Sequence, residues 1–185
     1  MGKLFVISGA SGVGKSTVLS RVMAQRDDLR FSVSATTRAP RPGEVDGQSY
    51  YFITKEQFED MIARGEFLEY DAHMDNYYGT PAGQLEEKLQ KGSVILDIEP
   101  NGAFHVRQKR PDAVLIFIAP PSLEELERRL RGRGDTSPEQ IRMRLDRARW
   151  ETEQGLSYDY TVINDQVETC AEKILTIIAS YCDEK

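Results

Sequence analysis

The run Gly9-Ala10-Ser11-Gly12-Val13-Gly14-Lys15-Ser16 satisfies the pattern G-x-x-x-x-G-K-[ST]. Its chemistry is phosphate binding. The glycines let the backbone curl so that successive N–H groups point at phosphate oxygens. Lys15 adds a mobile charge, and Ser16 offers a hydroxyl for Mg²⁺. The pattern carries weight only between a strand and a helix. Here the apolar run KLFVIS precedes it and STVLSRVMAQR, with helical spacing, follows. A nucleoside triphosphate is the expected ligand.

Three other stretches hold groups that could act on such a ligand. In FSVSATTRAPRPGEVDGQSYYF, residues 31 to 52, Arg38 and Arg41 stand among hydroxyls, prolines and paired tyrosines, with only Glu44 and Asp46 as nearby carboxylates. Arginines so placed suit an anion. In VILDIE, Asp97 and Glu99 alternate along a strand and share a face, where they can hold Mg²⁺ through water or read N–H groups of a substrate. In RRLRGRG and IRMRLDRAR, arginines surround a glycine-containing turn. Ile141, Leu145 and Ala148 form the packed stripe of the second segment, and Arg144 borders it, its head free to reach a cleft. Such a segment opposite a phosphate loop suits a lid over a transferring phosphoryl group. Arg128, Arg131, Arg142 and Arg147 read as plain surface residues.

The chain of 185 residues carries a net charge of −6, which argues against nonspecific nucleic-acid binding. The charge is uneven: eight arginines between Arg128 and Arg149 face Asp135, Glu139 and Asp146, a local balance of +5. A compact polyanion is the expected partner of that patch. No apolar run is long enough to span a bilayer, and the start runs into a strand without a secretion signal. Cys170 and Cys182 fall in one helix, roughly 18 Å apart, too far for a mutual disulfide. A reduced, cytoplasmic location is expected.

These groups need elements to hold them. Apolar strands at KLFVIS, SVILDIE, AVLIFIA and YTVIN alternate with helices, which predicts an α/β fold with a central parallel sheet covered on both faces. Capping boxes predict helix starts at Thr54, Ser122 and Ser137, and Thr80-Pro81 predicts an N-cap with proline at N1. The stretch from 31 to 80, with short strands at EFLEY and NYYGT, interrupts the rhythm as an inserted β-rich lobe.

With these motifs in order, the chain resembles the guanylate kinases, essentially end to end. The resemblance rests on SGASGVGKST, the 31–52 stretch, GEFLEY, NYYGTP, LDIEPNGA, FIAPPS, RLRGRG and VIND. It implies a single domain in a three-layer P-loop fold: a core of about 1–30, 81–125 and 154–185, a GMP-binding lobe of about 31–80, and a helical lid of about 126–153. It implies Mg²⁺-dependent phosphorylation of GMP, and of dGMP, by ATP. It implies that Arg38, Arg41, Tyr50 and Tyr78 hold the GMP phosphate and that Ser34, Glu69, Thr80 and Asp97 read guanine. Lys15, Arg41, Arg133 and Arg144 would serve the transferring phosphoryl, and Gly9 to Thr17 (Thr17 included) would bind ATP. Arg129 would support the lid, Asn164 would lie near adenine, and Ser16 with Glu99 would serve Mg²⁺. The family usually has Asp in place of Glu99 and Gln in place of Asn101, and Pro100 is a further departure. Neither nucleic acid nor membrane is an expected partner; monomer and homo-oligomer both fit. Two alternatives share part of this equipment. A kinase for another phosphorylated small molecule would lose the guanine-reading set, and a noncatalytic phosphopeptide-binding module would need neither Lys15 nor the lid arginines.

Overall fold

A computed structural model describes residues 2–73, 75–132 and 137–182. Arg133 therefore lies outside the described residues.

Strands β1 (Leu4–Gly9), β2 (Leu29–Phe31), β7 (Ser93–Asp97), β8 (Val114–Ala119) and β9 (Tyr160–Ile163) form a parallel sheet in the order β2-β7-β1-β8-β9. The runs LFVI, VIL and VLIFIA are buried along their length, the mark of strands covered on both faces. Helices α1 (Lys15–Met23) and α7 (Val167–Cys182) pack on each other, as do α4 (Pro100–Lys109) and α6 (Pro138–Gly155), the latter pair also against β1. The register pairs Ile7 with Asp97 and Gly9 with Ile118. That brings the glycine loop and Asp97 to one carboxyl edge of the sheet, where open α/β sheets bind ligands.

A second sheet, β4-β3-β6-β5, is built from β3 (Ala35–Thr36), β4 (Tyr51–Phe52), β5 (Phe67–His73) and β6 (Asn76–Pro81). It has its own small apolar cluster of Ala35, Phe58 and Phe67, separate from the main core. Phe58, from α2 (Lys55–Ala63), stacks on Phe67 at 4.3 Å and on Tyr77 at 5.1 Å between ring centroids. The second sheet with its own core is what an inserted β-rich lobe requires.

The caps divide into those that form as expected and those that do not. Thr54 and Ser137 each complete a reciprocal capping box. At Ser122, before α5 (Leu123–Gly132), the hydroxyl caps Glu125 N–H, but the Glu125 carboxylate turns to Arg128 and Arg129 instead of closing the box. Thr80 is no cap: Pro81 is the N-cap of α3 (Ala82–Lys91), and the Thr80 hydroxyl points into the second lobe. The helix after β7 has Glu99 as N-cap and Pro100 at N1. Proline suits that place, since an N1 residue has no intrahelical N–H bond to lose.

Gly155 ends α6 directly on β8. A Cβ there would sit 2.5 Å from Phe117 Cδ1, and Phe117 is fully buried. Gly155→Ala is expected to destabilise the fold by about 1–3 kcal/mol through overpacking. Urea unfolding tests it; an unchanged midpoint would show that the Phe117 ring moves aside freely.

Candidate functional site

The glycine loop joins β1 to α1. Gly12 and Gly14 have φ of 84° and 91°, a region that side chains with a Cβ rarely enter. Three separate elements pin the loop. Ala10 N–H donates to Ile118 O of β8 at 3.2 Å, and Ser11 N–H donates to Glu151 Oε2 of α6 at 2.6 Å. Asn164, after β9 and only 2% exposed, donates its side-chain N–H to Val13 O at 2.8 Å. Lys15 is the first residue of α1, its ammonium paired with the Asp97 carboxylate at the end of β7. Ser16 follows, exposed in the first helical turn.

Gly9 to Ser16 line a cavity of about 520 Å³ whose other walls are Asp97, Glu99 and four residues of α6: Met143, Arg144, Arg147 and Glu151. Thr17, Arg129 and Asn164 are not among its lining residues. Asn164 braces the loop from behind. Arg129 bonds Asn164 O at 2.9 Å, Asp165 O at 3.2 Å and Glu125 at 2.7 Å, tying α5 to the segment after β9.

A second cavity, of about 290 Å³, opens against the β-rich lobe, and both volumes are of the order found for small-molecule sites. Ser34, Arg38, Arg41, Tyr50, Glu69, Tyr78 and Asp97 line it, so the structure brings together every expected acceptor residue but Thr80 in one wall. Lys15, Asp97 and Glu99 belong to both cavities.

The anion-seeking arginines are not idle. Arg38 grips Glu44 with two nitrogens at 2.9 and 3.0 Å, and Arg41 N–H donates to the same carboxylate at 2.7 Å. Glu44 holds the Arg38 guanidinium above its ordinary pKa. The Arg38 head lies 5.5 Å from the Tyr50 ring centroid, and Tyr50 meets Tyr78 edge-on at 6.1 Å. Burial, and then Asp97, pushes the Tyr50 phenol up.

Glu69 of β5 is 5% exposed, and fully buried Thr80, its partner in the register of β5 with β6, donates to it at 2.5 Å. Thr80 thus stands behind Glu69 and orients it.

Among the cavity-lining residues not singled out by the sequence reading are Asp71, Gly102, Arg147 and Glu151. Asp71 and Gly102 line the second cavity, with nothing in their local pattern to single them out. Arg147 and Glu151 line the first, and Arg147 is not a plain surface residue: it reaches Glu99 at 2.6 Å and Glu151 at 3.0 Å. The signal was available, since Arg147 and Glu151 are four apart on one helix, but a buried acid cannot be told from a solvated one by spacing alone.

Burial raises the Glu69 pKa, and the Thr80 hydrogen bond offsets part of that shift. The folded state therefore favours the protonated acid, so this group costs stability as pH rises through the interval between its ordinary and its raised value. Glu69→Gln should gain stability relative to wild type as pH rises above the ordinary carboxyl range. Thermal unfolding across that rise in pH tests it; a difference independent of pH would mean the buried carboxyl ionises without penalty.

Comparison with known proteins gives a consistent result. The family model described as guanylate kinase matches residues 1–181. A guanylate kinase of Streptococcus thermophilus is 50% identical over 179 residues, covering 96% of this chain and 86% of that one. One of Lactococcus lactis subsp. lactis is 49% identical over 178 residues, covering 96% and 87%. The crystal structure of guanylate kinase from Anaplasma phagocytophilum superposes with a TM-score of 0.80 at 34% identity, covering all of this chain and 88% of that one. With the glycine loop, the two joined cavities and these matches over nearly its whole length, the chain belongs to the guanylate kinase family.

Proposed function

We propose that this chain transfers the γ-phosphoryl of ATP, held in the glycine-loop cavity, directly to the phosphate of GMP or dGMP in the second cavity, giving ADP and the diphosphate. The observation that carries this reading is the shared wall: Lys15, Asp97 and Glu99 border both cavities. Two polyanions seated there meet at Lys15.

In this reading, residues 31–80 are the acceptor lobe, 126–153 the lid, and the remainder the core. Arg38, Arg41, Tyr50 and Tyr78 hold the acceptor phosphate, with Arg38 exchanging Glu44 for it. Ser34, Glu69 and Asp97 read the base, and Thr80 acts through Glu69. Gly9 to Thr17 hold the donor, with Arg129 and Asn164 supporting from behind. Lys15, Arg41, Arg144 and Arg133 offset the charge that develops on the transferring group. No catalytic base is required, because the acceptor is a phosphate oxygen with a pKa of about 6 and is largely ionised at neutral pH. Positioning and cationic compensation carry the reaction.

The donor set fits Mg²⁺, a hard ion that takes oxygen ligands and is commonly shared with substrate phosphates. Ser16 offers a hydroxyl, and Asp97 and Glu99 offer carboxylate oxygens at the same cavity wall. Among the described residues no group of three or more His, Cys, Asp or Glu side chains could hold a metal without such sharing. Bound there, Mg²⁺ would neutralise phosphate charge. Among the described residues no helix is long and apolar enough to cross a membrane. Cys170 and Cys182 are free thiols, which suits a cytoplasmic location.

The test of the reading is ADP formation with each nucleoside monophosphate in turn. GMP should be preferred over AMP by roughly 10⁴–10⁵ in kcat/KM, because guanine presents N–H donors at N1 and N2 where adenine has a lone pair and no amino group. Glu69→Gln and Asp97→Asn should each cut GMP efficiency and narrow that ratio. IMP, which lacks the 2-amino group, separates the two contacts: the variant that has lost the N2 contact should penalise IMP least. Ratios unchanged in both variants would show that these carboxylates do not read the base.

The cations are tested separately. Lys15→Ala should abolish turnover with the fold intact, and Arg144→Ala should lower kcat by on the order of 10³ while leaving GMP affinity nearly unchanged. Weakened GMP binding with kcat preserved in Arg144→Ala would make that arginine a ground-state ligand.

A further inference from the structure

Arg147 sits where three parts of the donor cavity join. Its Nε donates to Glu151 Oε1 at 3.0 Å, and its Nη2 donates to Glu99 Oε2 at 2.6 Å. The other oxygen of Glu151 accepts Ser11 N–H of the glycine loop at 2.6 Å. One continuous chain of charge-assisted bonds thus runs from the loop, through α6, to the N-cap of α4.

Glu151 is 3% exposed, and among the ion pairs of the described residues Arg147 is its cationic partner. A carboxylate that deep needs compensation, and its geometry toward Ser11 depends on having it. Glu99, by contrast, is half exposed and can change partners at little cost. Arg144 lies one helical turn before Arg147 on the same wall of the cavity. Whatever fixes this turn of the helix also fixes the backbone from which Arg144 projects.

We propose that Arg147 is a positioning residue of the donor site: by neutralising Glu151 while that carboxylate holds the Ser11 amide, it locks the glycine loop and the Arg144-bearing helix into the geometry that receives the triphosphate. This rests on the reading of the glycine-loop cavity as the donor site. Arg147 Nε and Nη2 are engaged by carboxylates, and the proposed effect passes through Glu151.

Calorimetric titration with ATP, and separately with GMP, tests this on wild type, Arg147→Met, Glu151→Gln and the double variant. Arg147→Met should bind ATP about tenfold more weakly while GMP affinity stays within about twofold. The double variant should return to within about threefold of wild-type ATP affinity, because a glutamine oxygen still accepts the Ser11 N–H and carries no charge to compensate. Arg147→Lys keeps a cation beside Glu151 and should lose less than Arg147→Met; it also serves as the comparison if the methionine variant does not fold. Unchanged ATP affinity in Arg147→Met or a double variant as weak as the single overturns the proposal, the second result pointing to direct phosphate contact. A wild-type protein that binds GMP but no ATP overturns the donor-site reading and this proposal together.

Discussion

Two polyanions cannot share a small site unless cations are placed between them, and in the proposed reading the Lys15–Asp97 ion pair sets where those cations stand. The pair exists because the parallel register sets Asp97 beside Ile7, two residues before the glycine loop opens. A shift of one residue between β1 and β7 would turn Asp97 to the other face of the sheet and leave Lys15 without its partner. The buried runs of β1, β7 and β8 are therefore more than core: they hold the register at which the loop, the ammonium and the carboxylate converge.

The same economy of charge recurs around the site. Lys15 is held by Asp97, Arg38 by Glu44, and Arg147 by Glu99 and Glu151. Each cation thus rests on a carboxylate of the protein. Partly exposed pairs of this kind are worth little in stability, so breaking one costs little. Glu151 differs from the others because it is buried, and a buried acid that loses its partner is costly. The exposed pairs are suited to exchange, and the buried one to holding shape.

Much of this was legible in the sequence because it is local. The glycine loop declares itself by spacing, the strands by uninterrupted apolar runs, and the Thr54 and Ser137 boxes by four residues each. What failed to show was tertiary. Thr80-Pro81 has the form of a helix start, yet the Thr80 hydroxyl is claimed by Glu69 across a strand pair, and the cap passes to Pro81. Ser122-x-x-Glu125 has the form of a capping box, yet two arginines outbid the backbone for Glu125. Arg147 looked solvated because its partners lie 48 residues away at the N-cap of α4 as well as one turn along its own helix. In each case a charged group settled the outcome against a local preference worth about 1 kcal/mol.

Glu69 shows why such a group is retained at all. A carboxyl nearly closed to solvent, with its pKa raised by burial, works against the stability of the lobe that carries it. An apolar side chain would pack there without that penalty. It would also leave the wall of the cavity blind to N–H donors. Thr80 orients the carboxyl at the wall of the cavity. In the proposed reading, selectivity for one purine over another follows from that carboxyl: a base that pairs with it offsets the cost of its burial, and a base that cannot leaves that cost unmet.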